Sequence, residues 1–178
     1  WGGQPLPLNA SCWVNEDAKE NGKGTLYLRL RGAVAAVESA CAKLGGERLP
    51  QAQAVNDWKL CRDQQLPWFN DRTDTQDLWR LSVPQTTPAL DLPDLPLIEW
   101  HGGQRWVRAD QSQGAKLRAL AQAAGGYATL FITASTRKTS DTARFDTLKP
   151  PLDRIHRELK REFDPAGVFN PHRMHSDW

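Results

Sequence analysis

Residues 97–108, Leu-Ile-Glu-Trp-His-Gly-Gly-Gln-Arg-Trp-Val-Arg, place two glycines between two strand-like runs. Adjacent glycines are typical of a two-residue primed turn, because glycine tolerates the positive φ angles that such a turn needs. With Gly102-Gly103 as the loop, Ile98 would face Val107 on the core side of a β-hairpin. The stretch therefore predicts an antiparallel pair of strands within the fold.

Amphipathic strands and helices flank this hairpin along the chain. Period-two alternation predicts strands at 25–31, 77–83 and 127–133. Helical spacing of apolar residues predicts helices over 34–44, over about 52–65, before Gly125-Gly126 and after Pro150-Pro151. The polar stretch 135–149 is interpreted as a long mobile loop. This order predicts an α+β fold, an antiparallel sheet with helices packed on one face, whose core includes Leu26, Leu28 and Leu30.

The length and composition suit one compact domain. A chain of 178 residues with 39% hydrophobic residues can bury a core without a disulfide or a structural metal. Residues 1–23 are rich in Gly, Pro and Asn and show little periodicity, so we predict a linker there and the domain over 24–178. The only methionine is Met174, so Trp1 is not a natural initiator and the chain is expected to be processed or cut from a longer one.

Several classes of function are disfavoured by charge and by absent motifs. The net charge is +2 with charges of both signs interspersed, which gives no strong attraction to nucleic acid or to an acidic membrane surface. No apolar run reaches the length of a transmembrane helix, and three cysteines without a CxxC pair indicate a reducing compartment. The sequence has no dinucleotide-binding GxGxxG, P-loop or GxSxG motif, and His172 and His175 have no carboxylate or cysteine in a metal-ligand pattern. No metal site is expected.

One face of the predicted sheet combines arginines with aromatic residues. Alternation places these residues opposite the leucines: Tyr27, Arg29, Arg31, Arg80, Trp106, Arg108, Tyr127 and Phe131. Such a face suits a carboxylate or phosphate held by a guanidinium group, a flat ring system, or a partner protein. An ordinary solvent face with aromatics chosen for strand propensity is the alternative. An RNA-binding sheet is not expected, because the signature with a glycine between basic and aromatic residues is missing.

The C-terminal sequence carries a recognisable motif. Residues 159–174, Leu-Lys-Arg-Glu-Phe-Asp-Pro-Ala-Gly-Val-Phe-Asn-Pro-His-Arg-Met, resemble the closing motif of FAD-linked oxidases of the vanillyl-alcohol-oxidase type. The runs at 78–84, 98–106 and 125–131 are similar to the FAD-binding subunits of glycolate oxidases. His172 stands where the motif has glycine, so backbone freedom is lost there.

The resemblance implies the ferredoxin-like C-terminal cap domain of such a subunit, following an N-terminal FAD-binding domain that this sequence lacks. FAD would be bound mainly by that missing domain, and residues 1–23 would lead in from it. The cap would lay its sheet over the flavin ring. In this reading Asn170, the motif asparagine, approaches the flavin, and Arg29, Arg80 and Arg108 face the substrate carboxylate.

The implied reaction is the oxidation of a 2-hydroxy acid, glycolate, to a 2-oxo acid, glyoxylate. A hydride passes to FAD, and the implied partners are a second FAD subunit and an iron–sulfur subunit. The chain lacks the Gly-Asp-Gly-Asn-type motif of catalytic relatives, so no catalytic residue is assigned and the domain alone is expected to be inactive. A cytoplasmic location is implied, with a peripheral position at the inner face of the cell membrane left open. The alternative is a non-catalytic interaction module whose arginine–aromatic face docks a partner.

Overall fold

The computed structural model describes residues 3–15, 23–136 and 142–175, and these form an open antiparallel sheet with helices. The strands are β1 Leu8–Val14, β2 Thr25–Leu30, β3 Gln76–Ser82, β4 Leu97–Glu99, β5 Gln104–Asp110 and β6 Tyr127–Ile132, in the order β2-β1-β4-β5-β3-β6. The helices are α1 Val34–Leu44, α2 Gln51–Arg62, α3 Pro67–Asn70, α4 Gly114–Ala123 and α5 Leu152–Phe163. Every strand pair is antiparallel. The α+β class and the antiparallel sheet are confirmed.

The prediction that ordered structure begins only after residue 23 is wrong. Leu8–Val14 form β1, which lies inside the sheet between β2 and β4. An interior strand is covered on both faces, so Ser11 and Cys12 are both buried and the period-two pattern is lost. The register with β2 also shifts between Leu8 and Ala10, which interrupts the alternation further.

The hairpin is confirmed, but its register differs by two residues from the prediction. Ile98 lies opposite Arg105 rather than Val107. The loop is longer than the glycine pair because Trp100 and His101 adopt positive φ angles of 52° and 55°. The backbone N–H of His101 donates to Ser11 Oγ at 2.7 Å, which ties this loop to β1. A two-residue slip preserves the pleat, so each side chain still points to the predicted face.

Helices cover both faces of the sheet rather than the single face expected. One face, here the α4 face, carries a buried cluster of Trp79, Leu81, Val83, Val107, Ala109, Leu117, Ala121, Ala128 and Leu130. The opposite face, here the α3 face, carries a second cluster of Cys12, Val14, Cys61, Trp68, Phe69, Leu78, Leu97 and Trp106. Leu78 and Trp106 are apolar residues on the predicted solvent side, so α2 and α3 supply the cover that they need.

The leucines of β2 are less buried than predicted. They lie on the α4 face, but Leu26 is 47% exposed, and Leu28 and Leu30 are half-buried. β2 is the edge strand farthest from β3 and β6, the strands on which α4 packs. Tyr27, on the opposite face, packs against the buried α3-face cluster instead.

The loop predicted as mobile is anchored over its described second half, 142–149. Asp146 is buried, forms an ion pair with Arg118 of α4 and accepts the backbone N–H of Ala128 at 2.8 Å. The backbone N–H of Leu130 donates to Arg144 O at 2.8 Å. These contacts attach the segment to β6 and α4, and residues 137–141 lie outside the described residues.

Candidate functional site

The α3 face brings two of the three predicted arginines together and keeps the third apart. Arg80 on β3 lies opposite Trp106 of β5, and Arg108 lies opposite Leu78 two residues further along the same pair. Arg29 is on β2, four strands from β3, which is about 19 Å at the usual strand spacing. Arg29 therefore does not share a site with Arg80 on the sheet.

Arg108 and Arg29 are engaged within the domain. The guanidinium of Arg108 forms a two-pronged ion pair with Asp94, with both nitrogen–oxygen distances 2.8 Å, and lies 4.7 Å from the Trp68 ring centroid. Arg29 Nε donates to Asn9 Oδ1 at 2.7 Å, and its guanidinium lies 5.1 Å from the Trp58 ring centroid. These contacts hold the two guanidinium groups against the protein's own surface.

Arg80 is the arginine with an uncommitted guanidinium. Among the described residues its contact is the Phe131 ring, whose centroid lies 5.9 Å from Arg80 Cζ. Beside it on the β3–β6 end of the face, Tyr127 and Phe131 are exposed and Thr129 is half-buried. We call Arg80, Tyr127, Thr129 and Phe131 the arginine–aromatic patch. It combines a cation with exposed rings and a hydroxyl group.

A continuous series of aromatic rings supports this patch from behind. Trp68, Phe69, Trp106 and Phe131 stack edge to face, with successive centroid separations of 5.2, 5.5 and 4.9 Å. The series begins under α3 and ends at the exposed ring of Phe131. Edge-to-face packing restricts ring rotation, so the orientation of Phe131 beside Arg80 is set by the buried rings.

Glu99 holds this series from within and was not singled out by sequence reasoning. Its carboxylate accepts hydrogen bonds from Trp106 Nε1 at 2.6 Å, Gln104 Nε2 at 3.0 Å and Cys61 Sγ at 3.2 Å. The Cys12 thiol, burial and the Glu99 charge together raise the pKa of Cys61, which keeps it a neutral thiol and a donor. The sequence signal was present, because alternation places Glu99 and Trp106 on the same face.

Asn170 lies outside the sheet, in the C-terminal turn that follows α5. Its φ is +48°, in the left-handed region that asparagine tolerates better than most residues. The backbone N–H of Arg173 donates to Asn170 O at 3.2 Å, and the Asn170 side chain is exposed. His172, at the motif's glycine position, also adopts a positive φ of 57°. The turn thus presents the carboxamide on the surface.

A buried carboxylate organises this turn. Asp164 is buried, and its two oxygens accept the backbone N–H groups of Val168 and Phe169, each at 3.0 Å. The Lys160 ammonium forms an ion pair with the same carboxylate and donates to Phe169 O at 2.6 Å. The ammonium of Lys160, followed by the backbone donors, holds the pKa of Asp164 below its usual range.

Acid is expected to open this turn. A carboxyl whose pKa is lower in the folded than in the unfolded state stabilises the fold above its unfolded pKa, and this stabilisation is lost as the pH falls through the folded value. Amide exchange measured by NMR should therefore show the Val168 and Phe169 N–H groups losing protection as the pH falls from 5 towards 2. Asp164→Asn should show little protection at either pH. Equal protection of both amides in the two proteins at pH 5 would contradict this role.

The described residues fit one part of FAD and not another. The arginine–aromatic patch and the Asn170 carboxamide suit a flat, polar-edged ring system. None of the described segments forms a glycine-rich loop at a helix N-terminus, which is a common cradle for a pyrophosphate. In the described ranges there is also no group of three His, Cys, Asp or Glu placed to hold a metal, and no helix long and apolar enough to cross a membrane.

Comparison with known proteins identifies one similar curated chain. This protein is 36% identical over 177 residues to glycolate oxidase subunit GlcE of Escherichia coli (strain K12), an alignment that covers 99% of this chain and 44% of that protein. The chain thus spans less than half the length of the relative. No protein-family model matches the chain, and no solved structure matches it significantly. The resemblance indicated by the closing motif and the internal runs is therefore confirmed along nearly the whole chain, which is similar to a subunit of a glycolate oxidase.

Proposed function

We propose that this chain is the C-terminal cap domain of a flavin-binding subunit in a complex that oxidises glycolate to glyoxylate. The observation that carries the proposal is an alignment that covers nearly all of this chain but under half of the glycolate oxidase subunit. The remainder of that longer protein is where we place the main FAD-binding domain. A second FAD subunit and an iron–sulfur subunit are the proposed partners.

The amphipathic helix α5 supports a longer protein. Its apolar residues lie on one stripe, and all are 40% exposed or more: Leu152, Ile155, Leu159 and Phe163. In the turn beyond the helix, Val168, Phe169 and Met174 are exposed as well. An apolar stripe of this kind is normally buried against another element. We infer that the remaining residues of the longer polypeptide cover it.

Shortening one side chain of this stripe tests that inference. Leu159→Ala is expected to leave the unfolding of the 178-residue chain unchanged, because the side chain is half exposed there. In the longer polypeptide it should lower the free energy of unfolding by about 1–2 kcal/mol, because part of a buried leucine is lost. Urea unfolding of both proteins measures the difference. Glu162→Ala, an exposed change off the stripe, is the control, and equal effects of Leu159→Ala in both proteins would contradict the inference.

Within the proposed enzyme, this domain contributes binding contacts. FAD supplies the two-electron chemistry when bound. Arg80 would hold the substrate carboxylate through its guanidinium fork, because its guanidinium is not already paired with a carboxylate in the described residues. Asn170 would contact the flavin ring with its exposed carboxamide.

An absorption spectrum with an FAD titration tests the proposal. The 178-residue chain should bind FAD weakly or not at all, and the natural longer polypeptide should bind it tightly with a flavin spectrum. Tight binding by the 178-residue chain would show that the cofactor site is misplaced here. Absence of flavin from both would overturn the proposal and favour an interaction module whose arginine–aromatic patch docks a partner.

A further inference from the structure

Asp164 is the most enclosed residue in the C-terminal part of the chain. Between residues 147 and 175 it is the one residue classed as buried, with a side chain that is 6% exposed. The segment around it exposes apolar side chains to solvent. A buried carboxylate must be paired and hydrogen-bonded to be tolerated, and here its partners all belong to the same short segment, 160–169.

The partners converge on the residue immediately before Asn170. The backbone N–H of Phe169 donates to Asp164 Oδ2 at 3.0 Å, and its carbonyl oxygen accepts from Lys160 Nζ at 2.6 Å. Both polar backbone groups of Phe169 are therefore held by side chains. Its carbonyl belongs to the peptide plane that leads into Asn170, so a bond to that oxygen restricts the rotation of that plane.

This restriction matters because Asn170 has a left-handed backbone. A non-glycine residue with φ near +48° is less stable than in the ordinary regions and is retained when its surroundings impose it. Rotation of the 169–170 peptide plane would change the φ of Asn170 and redirect its side chain. Lys160 opposes this rotation at one end, and the bond from Arg173 N–H to Asn170 O holds the other end.

Ending the helix does not require the Lys160 bond to Phe169. The helix already stops at Asp164, whose backbone N–H bonds to Lys160 O at 2.8 Å, and Gly167 follows with a φ of +64°. The bond from Lys160 Nζ reaches nine residues along the chain, past this stop. Its position is explained by the turn that follows the helix.

We propose that Lys160 and Asp164 are positioning residues that fix the direction of the Asn170 carboxamide towards the flavin. This inference rests on the proposed function. The ion pair holds the backbone on both sides of the Phe169 peptide unit, and Asn170 makes the contact with the ring. Lys160 and Asp164 themselves touch no ligand in this arrangement.

The test uses the flavin-loaded longer polypeptide and four variants: Lys160→Met, Lys160→Arg, Asn170→Ala and the double variant Lys160→Met with Asn170→Ala. Arg161→Met is the matched control, because it removes one positive charge from the same helical turn at an exposed position. The readouts are the FAD dissociation constant, the position of the visible flavin absorption bands and the urea midpoint of the flavin-free protein. Asp164→Asn provides a second route to the same loss if Lys160→Met does not fold.

Lys160→Met is expected to weaken FAD binding about threefold to tenfold, the scale of one charge-assisted hydrogen bond. Its flavin bands should shift in the same direction as those of Asn170→Ala, and Lys160→Arg should restore them partly. The double variant should be no weaker than Asn170→Ala, since both changes remove the same contact. Arg161→Met should match the unsubstituted protein.

Three results would overturn the inference. One is an unchanged FAD affinity and spectrum in Lys160→Met beside a changed Asn170→Ala, which would leave the proposed function standing. Another is additive losses in the double variant, which would show that Lys160 acts independently of Asn170. The third is tight FAD binding that Asn170→Ala does not alter. A longer polypeptide that binds no FAD would instead overturn the proposed function itself.

Discussion

Asp146→Ala is expected to lower the free energy of unfolding by about 3–5 kcal/mol, the usual cost of removing one partner from a buried ion pair. The Asp146 side chain is 3% exposed and pairs with the Arg118 guanidinium, which lies 5.2 Å from the ring centroid of Trp79. Removing the carboxylate leaves that cation largely buried without its charge partner. It also leaves the backbone N–H of Ala128 without its acceptor.

Chemical denaturation of Asp146→Ala measures this loss, and α4 offers its own control. Asp91 pairs with Lys116 of the same helix at 2.8 Å, but its side chain is 86% exposed. Exposed pairs contribute about 0–1 kcal/mol, so Asp91→Ala should change stability by no more than that. Similar losses in the two variants would show that the 142–149 segment does not depend on the Arg118–Asp146 pair.

Arg80→Ala in the complete flavin-loaded complex is expected to raise the KM for glycolate about 10- to 100-fold, the range for a lost hydrogen bond to a charged group. The reason is the open guanidinium of the arginine–aromatic patch, which would bind the carboxylate of the substrate. Folding should be little affected, because Arg80 lies on the surface of β3 and contacts only the Phe131 ring among the described residues.

Steady-state kinetics and a urea midpoint separate these effects. Arg80→Lys keeps the charge but loses the two-pronged geometry, so its KM should lie between those of the unsubstituted protein and Arg80→Ala. Arg62→Ala is the control, since Arg62 is exposed on α2 and pairs with the adjacent Asp63 at 2.7 Å. An unchanged KM in Arg80→Ala would remove Arg80 from the substrate site.

Local pattern was sufficient for much of the fold. The period-two runs gave β2, β3 and β6, and the helical runs gave α1, α2, α4 and α5, because each pattern depends on neighbours only a few residues apart. The face assignment of Glu99 and Trp106 held even though the hairpin register was wrong, since a slip of two residues keeps the pleat. The closing motif pointed to the family relation in the same way, through contiguous residues.

What the sequence by itself determined is therefore the set of these local elements, the sides to which their residues point, and the resemblance carried by the closing motif. The tertiary structure alone decided that β1 enters the sheet, that Arg108 is paired with Asp94 while Arg80 is open, and that Asp164 and Lys160 enclose the turn before Asn170. Most of these outcomes depend on residues far apart in the chain, and the turn depends on backbone angles that residue type does not dictate. Local periodicity contains no information on such contacts, because burial and pairing arise only when separate elements pack together.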